Sequence, residues 1–363
     1  MIIKDCVDED SSDVPQIQSP SNVQTAYDRI KSYLDKTPIL KSDMLNHMLG
    51  ADIYFKADAL QKTGAFKVRG VLNNLLILKE QGCLPKKIVG YSTGNHGIGL
   101  AWVAQKLGIK ARIYLPKNTT TLKQKMIELH GADVVYTDSR VQAEELSRYD
   151  TTHGFHYIHP SDSDETIAGA GTCAFEALQQ MGDVKPDAIF ASCGGGGLLS
   201  GTYLAKELLS SKSKLIGSEP LNANDAFLSV KHGQIFRFFD SPNTIADGLR
   251  TLGISRRTFE YLKKLDEFYL VDEEKIDYWT KRLIYLLKIN CEPSSAINMA
   301  SVVQWLKCLR SQELVCESNN SKTCLCNIRG SFKRGYNGGK KLKILVIISG
   351  GNIDLASYNQ TLT

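Results

Sequence analysis

The chain has 363 residues, of which 42% are hydrophobic and 23% charged, as in an ordinary globular protein. Its net charge of +5 is small for this length and does not favour a nucleic-acid-binding protein. The sequence has no apolar run near the roughly 20 residues that span a bilayer and no signal peptide at its start, so we expect a soluble, cytoplasmic protein without membrane contact.

The first half of the chain predicts an acidic arm followed by helices and strands. Residues 1–20 carry one lysine against five acidic residues, which is typical of a disordered segment. A helix over SNVQTAYDRIKSYL follows, with Ser21 or Asn22 as its cap. From residue 87, apolar strands such as KIVGYST, KARIYLP, DVVYT and FHYIHP alternate with helices of about ten residues. This alternation predicts a parallel sheet with right-handed crossovers.

The alternation resumes at DAIFASCG and SKLIGSEP, continues with helices near 273–288 and 294–309, and ends with the strand LKILVIISGG. We therefore predict an α/β fold of two doubly wound open-sheet domains. The smaller domain, 87–164, is inserted in the larger one, 21–86 and 165–363. The polar, basic and Cys-rich segment 310–340 interrupts the pattern and is interpreted as a surface insertion.

The nine cysteines do not suggest a disulfide framework, because their number is odd and four stand in apolar surroundings. The four expected buried thiols are Cys83, Cys173, Cys193 and Cys291. Four others lie in or near the insertion, but their C-x-C spacing and the lack of a nearby histidine disfavour a zinc site.

Four glycines separate a predicted strand from a predicted helix in SCGGGGLLSG; they are Gly194, Gly195, Gly196 and Gly197. Without Cβ atoms, consecutive backbone N–H groups can turn toward one anion, and the following helix adds its positive end. A flexible linker is the alternative, but linkers rarely join a buried strand to an amphipathic helix. The pattern lacks the sequence contexts of nucleotide loops, so it favours a single phosphate group.

Two further polar loops follow predicted strands. In YSTGNHGIG, Ser92, Thr93, Asn95 and His96 lie beside a helix N-terminus, which suits a carboxylate but is also typical of a capped turn. In VIISGGNID, Ser349 closes a buried strand, where its hydroxyl either contacts a ligand ring or only ends the strand. Open parallel sheets bind ligands at the carboxyl ends of their strands, which favours a shared site.

Lys67 lies in KTGAFKVRG, and a lone lysine there is ordinarily a surface residue with a buried stem. A phosphate-bearing cofactor that also requires a lysine is pyridoxal phosphate, whose aldehyde reacts with a lysine amine. The glycine loop therefore makes Lys67 the leading candidate for cofactor attachment.

The segments TGAFKVRG, STGNHG, CGGGGLLSG and SGGN, in this order and spacing, resemble the fold-type II pyridoxal-phosphate enzymes, which share the fold of the tryptophan synthase β chain. The resemblance runs from about residue 21 to 354, without the insertion. FKVRG and GNHG resemble the branch of serine/threonine dehydratases, serine racemase and threo-3-hydroxyaspartate dehydratase. The resemblance implies a homodimer, with cofactor bound by the larger domain and substrate by the smaller.

The resemblance also implies roles for single residues. Lys67 would hold the cofactor and take the α-proton, and Ser349 would face the pyridine nitrogen as a neutral partner. The implied cofactor-binding set is Phe66, Lys67, Asn95, Gly194, Gly195, Gly196, Gly197, Leu198, Gly248 and Ser349. The implied substrate-carboxylate set is Ser92, Thr93, Asn95 and His96. A neutral hydroxyl at the ring nitrogen favours β-elimination over transamination.

The stretch GSEPLNAND adds a candidate cation site. In racemase and hydroxyaspartate relatives, two carboxylates and a backbone carbonyl at this spacing hold a divalent cation, which here implies Glu219, Ala223 and Asp225. Such oxygen ligands fit magnesium, manganese or calcium. The alternative is a solvated loop with two acidic residues.

We predict a pyridoxal-phosphate-dependent dehydratase that converts a β-hydroxy amino acid, foremost L-serine or L-threonine, to a 2-oxo acid and ammonia. Racemisation of serine is an alternative, with Thr93 as the second acid/base where racemases of this family have a serine. Dehydration of threo-3-hydroxyaspartate is another and requires a cation near the β-carboxylate. A non-catalytic protein that senses an amino acid or the cofactor is a remote alternative.

Two positions depart from the family's usual pattern: Ala170 in AGAGT and the second serine of EPSSA.

Overall fold

The computed structural model describes residues 2–4, 14–92, 94–314 and 341–354. Most of the predicted insertion, 315–340, lies outside these described residues, as does the predicted site residue Thr93. Among the described residues, no helix combines the length and the apolar character that crossing a bilayer requires.

One sheet has six strands, and all its neighbouring pairs are parallel except β2 with β3. Its strands are β2 (Ile39–Leu40), β3 (Asp52–Ala57), β8 (Ala188–Ser192), β9 (Lys214–Pro220), β11 (Glu267–Val271) and β12 (Lys343–Ile348). They lie in the order β11-β9-β8-β12-β3-β2, so the last strand occupies a central place.

A second sheet has four parallel strands in the order β6-β5-β4-β7. They are β4 (Lys87–Tyr91), β5 (Lys110–Pro116), β6 (Asp133–Thr137) and β7 (His156–Tyr157). All four come from one continuous stretch of chain that lies between β3 and β8 of the larger sheet. The predicted α/β class with two open parallel sheets is confirmed.

Twelve α-helices of the described chain cover the two sheets. They are α1 (Ser21–Ile30), α2 (Asp43–Leu49), α3 (Lys67–Glu80), α4 (Asn95–Leu107), α5 (Thr121–Leu129), α6 (Arg140–Tyr149), α7 (Asp164–Met181), α8 (Gly197–Leu209), α9 (Asp225–His232), α10 (Arg256–Leu262), α11 (Glu273–Leu287) and α12 (Pro293–Leu314). Side-chain caps begin several of them: Ser139, Ser163, Ser255 and Asp272 accept backbone N–H bonds at α6, α7, α10 and α11.

The central strand β12 shows why helices cover both faces of the larger sheet. Successive side chains of a strand point to opposite faces. Leu345 and Ile347 accordingly pack with residues of α7 and α8, whereas Ile344, Val346 and Ile348 pack with residues of α11 and α12. A strand that is buried on both faces reads as a continuous apolar run, as LKILVIISGG does.

Three sequence expectations need correction. The cap of α1 is neither Ser21 nor Asn22, because the helix already begins at Ser21 and Pro20 precedes it. Cys83 is exposed, because it lies just past the end of α3, whereas Cys173, Cys193 and Cys291 are buried as predicted. Parts of the acidic arm are ordered, since β1 (Ile2–Lys4) pairs antiparallel with β10 (Phe236–Phe238) and the backbone N–H of Gln18 donates to the Tyr261 hydroxyl.

Candidate active site

One pocket collects every predicted cofactor-binding residue and every described residue of the predicted substrate-carboxylate set. The members among its lining residues are Phe66, Lys67, Ser92, Asn95, His96, Gly194, Gly195, Gly196, Gly197, Leu198, Gly248 and Ser349. They come from both sheets, at the carboxyl ends of β4, β8 and β12. The structure thus brings these segments together, while Glu219, Ala223 and Asp225 are not among the lining residues.

Lys67 is the first residue of α3 and its amine points into this pocket. Nζ donates to the Pro160 carbonyl oxygen at 3.0 Å and lies 5.1 Å from the centre of the Phe66 ring. Burial, and then the positive charge of Arg140, lowers the pKa of Lys67 to about 8. About a tenth of the amine is therefore neutral at pH 7, and about half at pH 8, as a nucleophile or base requires.

Ser349 ends β12 beside this lysine. Its carbonyl oxygen accepts the backbone N–H of Phe66 at 2.9 Å, so the end of the central strand holds the residue before Lys67. Its hydroxyl lies 2.9 Å from the hydroxyl of Ser295, which also accepts the Gly350 N–H at 2.9 Å. Ser295 is the second serine of EPSSA, so this departure from the family's pattern contacts the predicted ring-nitrogen partner.

The four-glycine loop joins β8 to α8 and leaves no room for side chains. A Cβ at Gly195 would lie 2.4 Å from the Ser161 hydroxyl oxygen, and one at Gly197 would lie 3.0 Å from Ser161 Cβ. Gly196 has φ +84°, and a Cβ there would lie 2.8 Å from Thr258 Cβ. Only glycine fits this path, which exposes backbone N–H groups at the N-terminus of the 13-residue helix α8.

The predicted carboxylate loop precedes α4. The Ser92 hydroxyl oxygen accepts the N–H groups of Gly94 and Gly97, at 2.9 and 2.8 Å, which leaves its hydrogen to donate elsewhere. Burial, and then Lys67, lowers the pKa of His96 to about 3, so this ring is neutral. Its Nε2 faces the Ile158 carbonyl at 3.0 Å and must carry the proton, so Nδ1 is an acceptor. Any contact of His96 with a carboxylate therefore falls to its backbone N–H.

The candidate cation residues are buried and partly unpartnered. Glu219 accepts the backbone N–H groups of Ala226 and Phe227 at 3.2 and 2.8 Å. Both carboxyl oxygens of Asp225 are buried without a hydrogen-bond partner among the described residues. Burial raises the pKa of Asp225 to about 8, and burial and Asp225 raise that of Glu219. Two buried acids of this kind fit a cation better than a solvated loop.

The described residues hold no cluster of three or more histidine, cysteine or acidic side chains suited to a metal. The candidate site does not need one, because its third ligand would be the backbone carbonyl of Ala223, a buried residue.

A family model for pyridoxal-phosphate dependent enzymes matches residues 30–316. The chain belongs to this family. It is 34% identical to the serine racemase of Dictyostelium discoideum, over 94% of this chain and 97% of that protein. It is 35% identical to the L-threo-3-hydroxyaspartate ammonia-lyase of Saccharomyces cerevisiae, over 93% of this chain and 94% of that protein. A solved threonine deaminase, from the organism abbreviated T.th., has a TM-score of 0.78 at 33% identity, covering 93% of this chain and 99% of that one.

The pocket fits the cofactor of the pyridoxal-phosphate dependent enzymes. The glycine loop has room for a phosphate where any Cβ would intrude, and the Lys67 amine is less basic than an exposed lysine. The sequence resemblance to fold-type II enzymes is thereby confirmed. The roles of single residues remain predictions, including that of Thr93, which lies outside the described residues.

Two residues that line the pocket, Arg140 and Glu292, were not predicted from the sequence. Arg140 begins α6 and is buried, with Nη1 donating to the Arg250 carbonyl at 2.8 Å and the guanidinium 5.3 Å from the Tyr91 ring centre. Glu292 accepts from the Asn95 amide nitrogen, which lies 2.9 Å from each of its two carboxylate oxygens. The polar loops of the site were predicted because they follow strands. The same rule could have found Arg140, which follows the end of β6 by three residues.

Proposed function

We propose that this chain is a pyridoxal-phosphate-dependent ammonia-lyase that converts a β-hydroxy amino acid, foremost L-serine or L-threonine, to a 2-oxo acid and ammonia. The observation that carries the proposal is the meeting, in one pocket, of the Lys67 amine with the four-glycine loop and the N-terminus of α4. Relatives that share about a third of the sequence over nearly the whole chain, among them a threonine deaminase, support the choice of reaction.

Each protein group has a separate task in this proposal. When bound, pyridoxal phosphate supplies the electron sink that stabilises negative charge at the substrate's α-carbon. The N–H groups of 194–198 would hold its phosphate, Asn95 its ring hydroxyl and Ser349 its ring nitrogen. The Ser92 hydroxyl and the first turn of α4 would hold the substrate carboxylate. Gly248, whose N–H donates to the Ser294 hydroxyl at 2.9 Å, would close the pocket near the ring.

Lys67 would act as the base at the substrate's α-carbon. Its lowered pKa leaves a neutral amine available for the α-proton near pH 8. Loss of the β-hydroxyl as water, followed by addition of water and release of ammonia, gives the 2-oxo acid without net oxidation. Ser349, as a neutral partner of the ring, favours this elimination over transamination.

The first test is ammonia release by the purified protein with pyridoxal phosphate and magnesium. The panel is L-serine, D-serine, L-threonine and L-threo-3-hydroxyaspartate. We expect release from at least one, and a loss of about a thousandfold or more in Lys67→Ala. The matched control is Lys62→Ala, a half-exposed lysine of the same loop, which should keep full turnover. Cofactor-loaded protein that is silent on the whole panel would contradict the reaction, and an active Lys67→Ala protein would remove Lys67 from its role.

Arg140 favours a second candidate, threo-3-hydroxyaspartate as the substrate. Among the described residues no carboxylate pairs with this buried guanidinium, which lines the pocket together with Lys67. A buried cation without an acid partner suits a β-carboxylate, because arginine binds carboxylates in a planar, bidentate way. The ammonia-lyase of Saccharomyces cerevisiae that acts on this compound is 35% identical to the chain.

Replacement of Arg140 by methionine tests that candidate. We expect KM for hydroxyaspartate to rise about tenfold or more, while KM for L-serine changes little, since the lost ion pair involves only the β-carboxylate. The control is Arg282→Met, because this exposed arginine of α11 lies over the Tyr278 ring, 4.6 Å from its centre, and does not line the pocket. Equal losses for both substrates would rule out acid recognition by Arg140.

The remaining parts of the proposal concern a racemase activity, a cation and the assembly. Thr93 would act as second acid/base if serine is racemised, and Thr93→Ala would then abolish D-serine formation while ammonia release persists.

A magnesium, manganese or calcium ion would be held away from the pocket by Glu219, Ala223 and Asp225. We expect the protein to be cytoplasmic and to form a homodimer. Analytical ultracentrifugation of the purified protein checks the dimer.

A further inference from the structure

A buried lysine outside the predicted site connects the two sheets. Lys123 lies on α5, beside the four-stranded sheet, with 2% of its side chain exposed. Its Nζ lies 2.6 Å from the Asp247 carboxylate and 3.6 Å from that of Glu292, both from the part of the chain that builds the larger sheet. Its stem packs on the carboxylate loop, since a Cβ at Gly94 would lie 2.2 Å from Lys123 Cδ.

Glu292 carries the effect of this lysine to Asn95. The two carboxylate oxygens of Glu292 each accept from Asn95 Nδ2 at 2.9 Å, and Asn95 Oδ1 accepts from Asn352 Nδ2 at 2.9 Å. An ionised carboxylate only accepts hydrogen bonds, so it can face only the nitrogen end of the amide. A protonated Glu292 could also donate, and the orientation of the Asn95 amide would then depend on Asn352 alone.

The charges around Glu292 decide whether it is ionised. Burial raises the pKa of Glu292, Lys123 opposes this rise and Asp247 adds to it. Burial alone would lower the pKa of Lys123, but Glu292 and Asp247 outweigh it, so the amine stays charged. Beyond them lies a cavity of about 760 Å³, lined also by Asp138, Arg140, Asp240, Arg250, Asp277, Lys281 and Asp354. The four acids and three bases of this set add nearly balanced charge, whereas Lys123 Nζ lies 3.6 Å from the Glu292 carboxylate.

We propose that Lys123 is a positioning residue: by holding Glu292 as a carboxylate, it fixes the orientation of the Asn95 amide against the cofactor ring. The inference rests on the proposed cofactor site, because it concerns the side chain assigned to the ring hydroxyl. Lys123 itself touches neither the ring nor the substrate in this role, and it is not one of the residues that line the cofactor pocket.

The test compares Lys123→Met, Lys123→Arg and the control Lys125→Met, an exposed lysine on the same helix. The readouts are the pH dependence of the absorbance of bound pyridoxal phosphate, its dissociation constant by fluorescence quenching, and the melting temperature of each apoprotein. In Lys123→Met we expect the acid transition of the absorbance to move up by about one pH unit or more. The reason is that the positive charge of Lys123, which lowers the pKa of Glu292, is gone. Lys123→Arg and Lys125→Met should titrate as the wild type does.

Glu292→Gln makes the test independent of the folding of Lys123→Met. A glutamine cannot ionise, so the acid transition should disappear in this variant, and adding Lys123→Met should cause no further shift. A folded Lys123→Met protein with the wild-type transition would overturn the proposal, as would Glu292→Gln that keeps the transition. Wild-type protein that binds no pyridoxal phosphate would instead contradict the proposed function on which this inference rests.

Discussion

Gly196 shows how much of the site depends on the absence of side-chain atoms. Its φ of +84° is in the left-handed region, and a Cβ would come within 2.8 Å of Thr258 Cβ. The neighbouring glycines are limited by contact with Ser161 and by the approach of the Gly248 carbonyl, 3.2 Å from a Cβ at Gly194. The cradle therefore presents only backbone to a ligand, and one added methyl group distorts it.

Gly196→Ala should lower the affinity for pyridoxal phosphate about tenfold or more, because the loop must move to avoid Thr258 and its N–H groups then lose their common direction. Equilibrium dialysis against the cofactor measures the change. Gly233→Ala is the matched control, since Gly233 has φ +71° but nothing within 4 Å of a Cβ. Equal cofactor affinity in the two variants would contradict the role assigned to the close packing of Gly196 on Thr258.

At the scale of single residues, the sequence predicted what lies within a short motif and missed what depends on distant chain segments. Lys67, the glycines and Ser349 stand in recognisable loops after strands. Glu292 and Lys123 do not, because they reach Asn95 only through contacts between residues 123, 247 and 292, which no local pattern encodes. The orientation of the His96 ring likewise depends on the distant Ile158 carbonyl.

At the scale of elements, a buried ionic cluster joins β3, α3 and α7. Lys56 of β3 pairs with Glu176 of α7 at 2.5 Å, and Arg69 of α3 pairs with Asp58 at 2.6 Å and with Glu176 at 3.2 Å. These side chains are at most 4% exposed. Arg69 follows Lys67 by two residues, so the cluster anchors the start of the helix that carries the predicted catalytic amine.

Glu176→Gln should lower the free energy of unfolding by about 3–5 kcal/mol, because Lys56 then keeps a buried charge without its acid partner. Urea denaturation monitored by circular dichroism measures this difference. In the control Glu80→Gln, the carboxylate removed is 57% exposed and pairs with Arg29 at the surface, so we expect a loss below about 1 kcal/mol. If both variants lost the same free energy of unfolding, the buried cluster would contribute no more to stability than a surface ion pair.

The elements themselves were predictable to the extent that they have two unlike faces. The four strands of the smaller sheet, β8, β9 and β12 of the larger one, and helices such as α6 have clear apolar and polar sides or bounded apolar runs, and their bounds were predicted within a few residues. Strands β2, β3 and β11 were not assigned. Helix α7 was not assigned, because nearly all its residues are buried and it lacks the polar face that marks a surface helix. Its close approach to α8, where a Cβ at Gly171 would lie 2.4 Å from the Gly201 carbonyl oxygen, has no counterpart in a local pattern.

At the scale of the whole molecule, the candidate cation residues do not line the cofactor pocket, but they lie at the end of a strand of the larger sheet. Glu219 is in β9, which pairs with β8, the strand that leads into the four-glycine loop. A cation between Glu219 and Asp225 would relieve two buried acids and thereby stabilise the end of β9 and the start of α9. Its first effect is therefore expected on stability rather than on chemistry.

Added magnesium or calcium at millimolar concentration should raise the melting temperature of the wild-type protein by a few degrees, since an ion that binds only the folded state stabilises it. Asp225→Asn should abolish this rise, because one of the two carboxylate ligands is lost. Asp28→Asn, which alters an exposed acid paired with Lys31, is the control and should leave the rise intact. Unchanged melting of the wild type with either ion would contradict the site.

The central position of β12 has a consequence for synthesis on the ribosome. Its Ile344 pairs with Ile53 of β3 on one side and with Ala188 of β8 on the other, so the larger sheet stays in two halves until β12 has been made. The four strands of the smaller sheet are complete once residue 157 has emerged. Nascent chains therefore expose the unpaired edges of β3 and β8 until β12 has emerged, and this interval, after the smaller sheet is complete, is the one most open to aggregation.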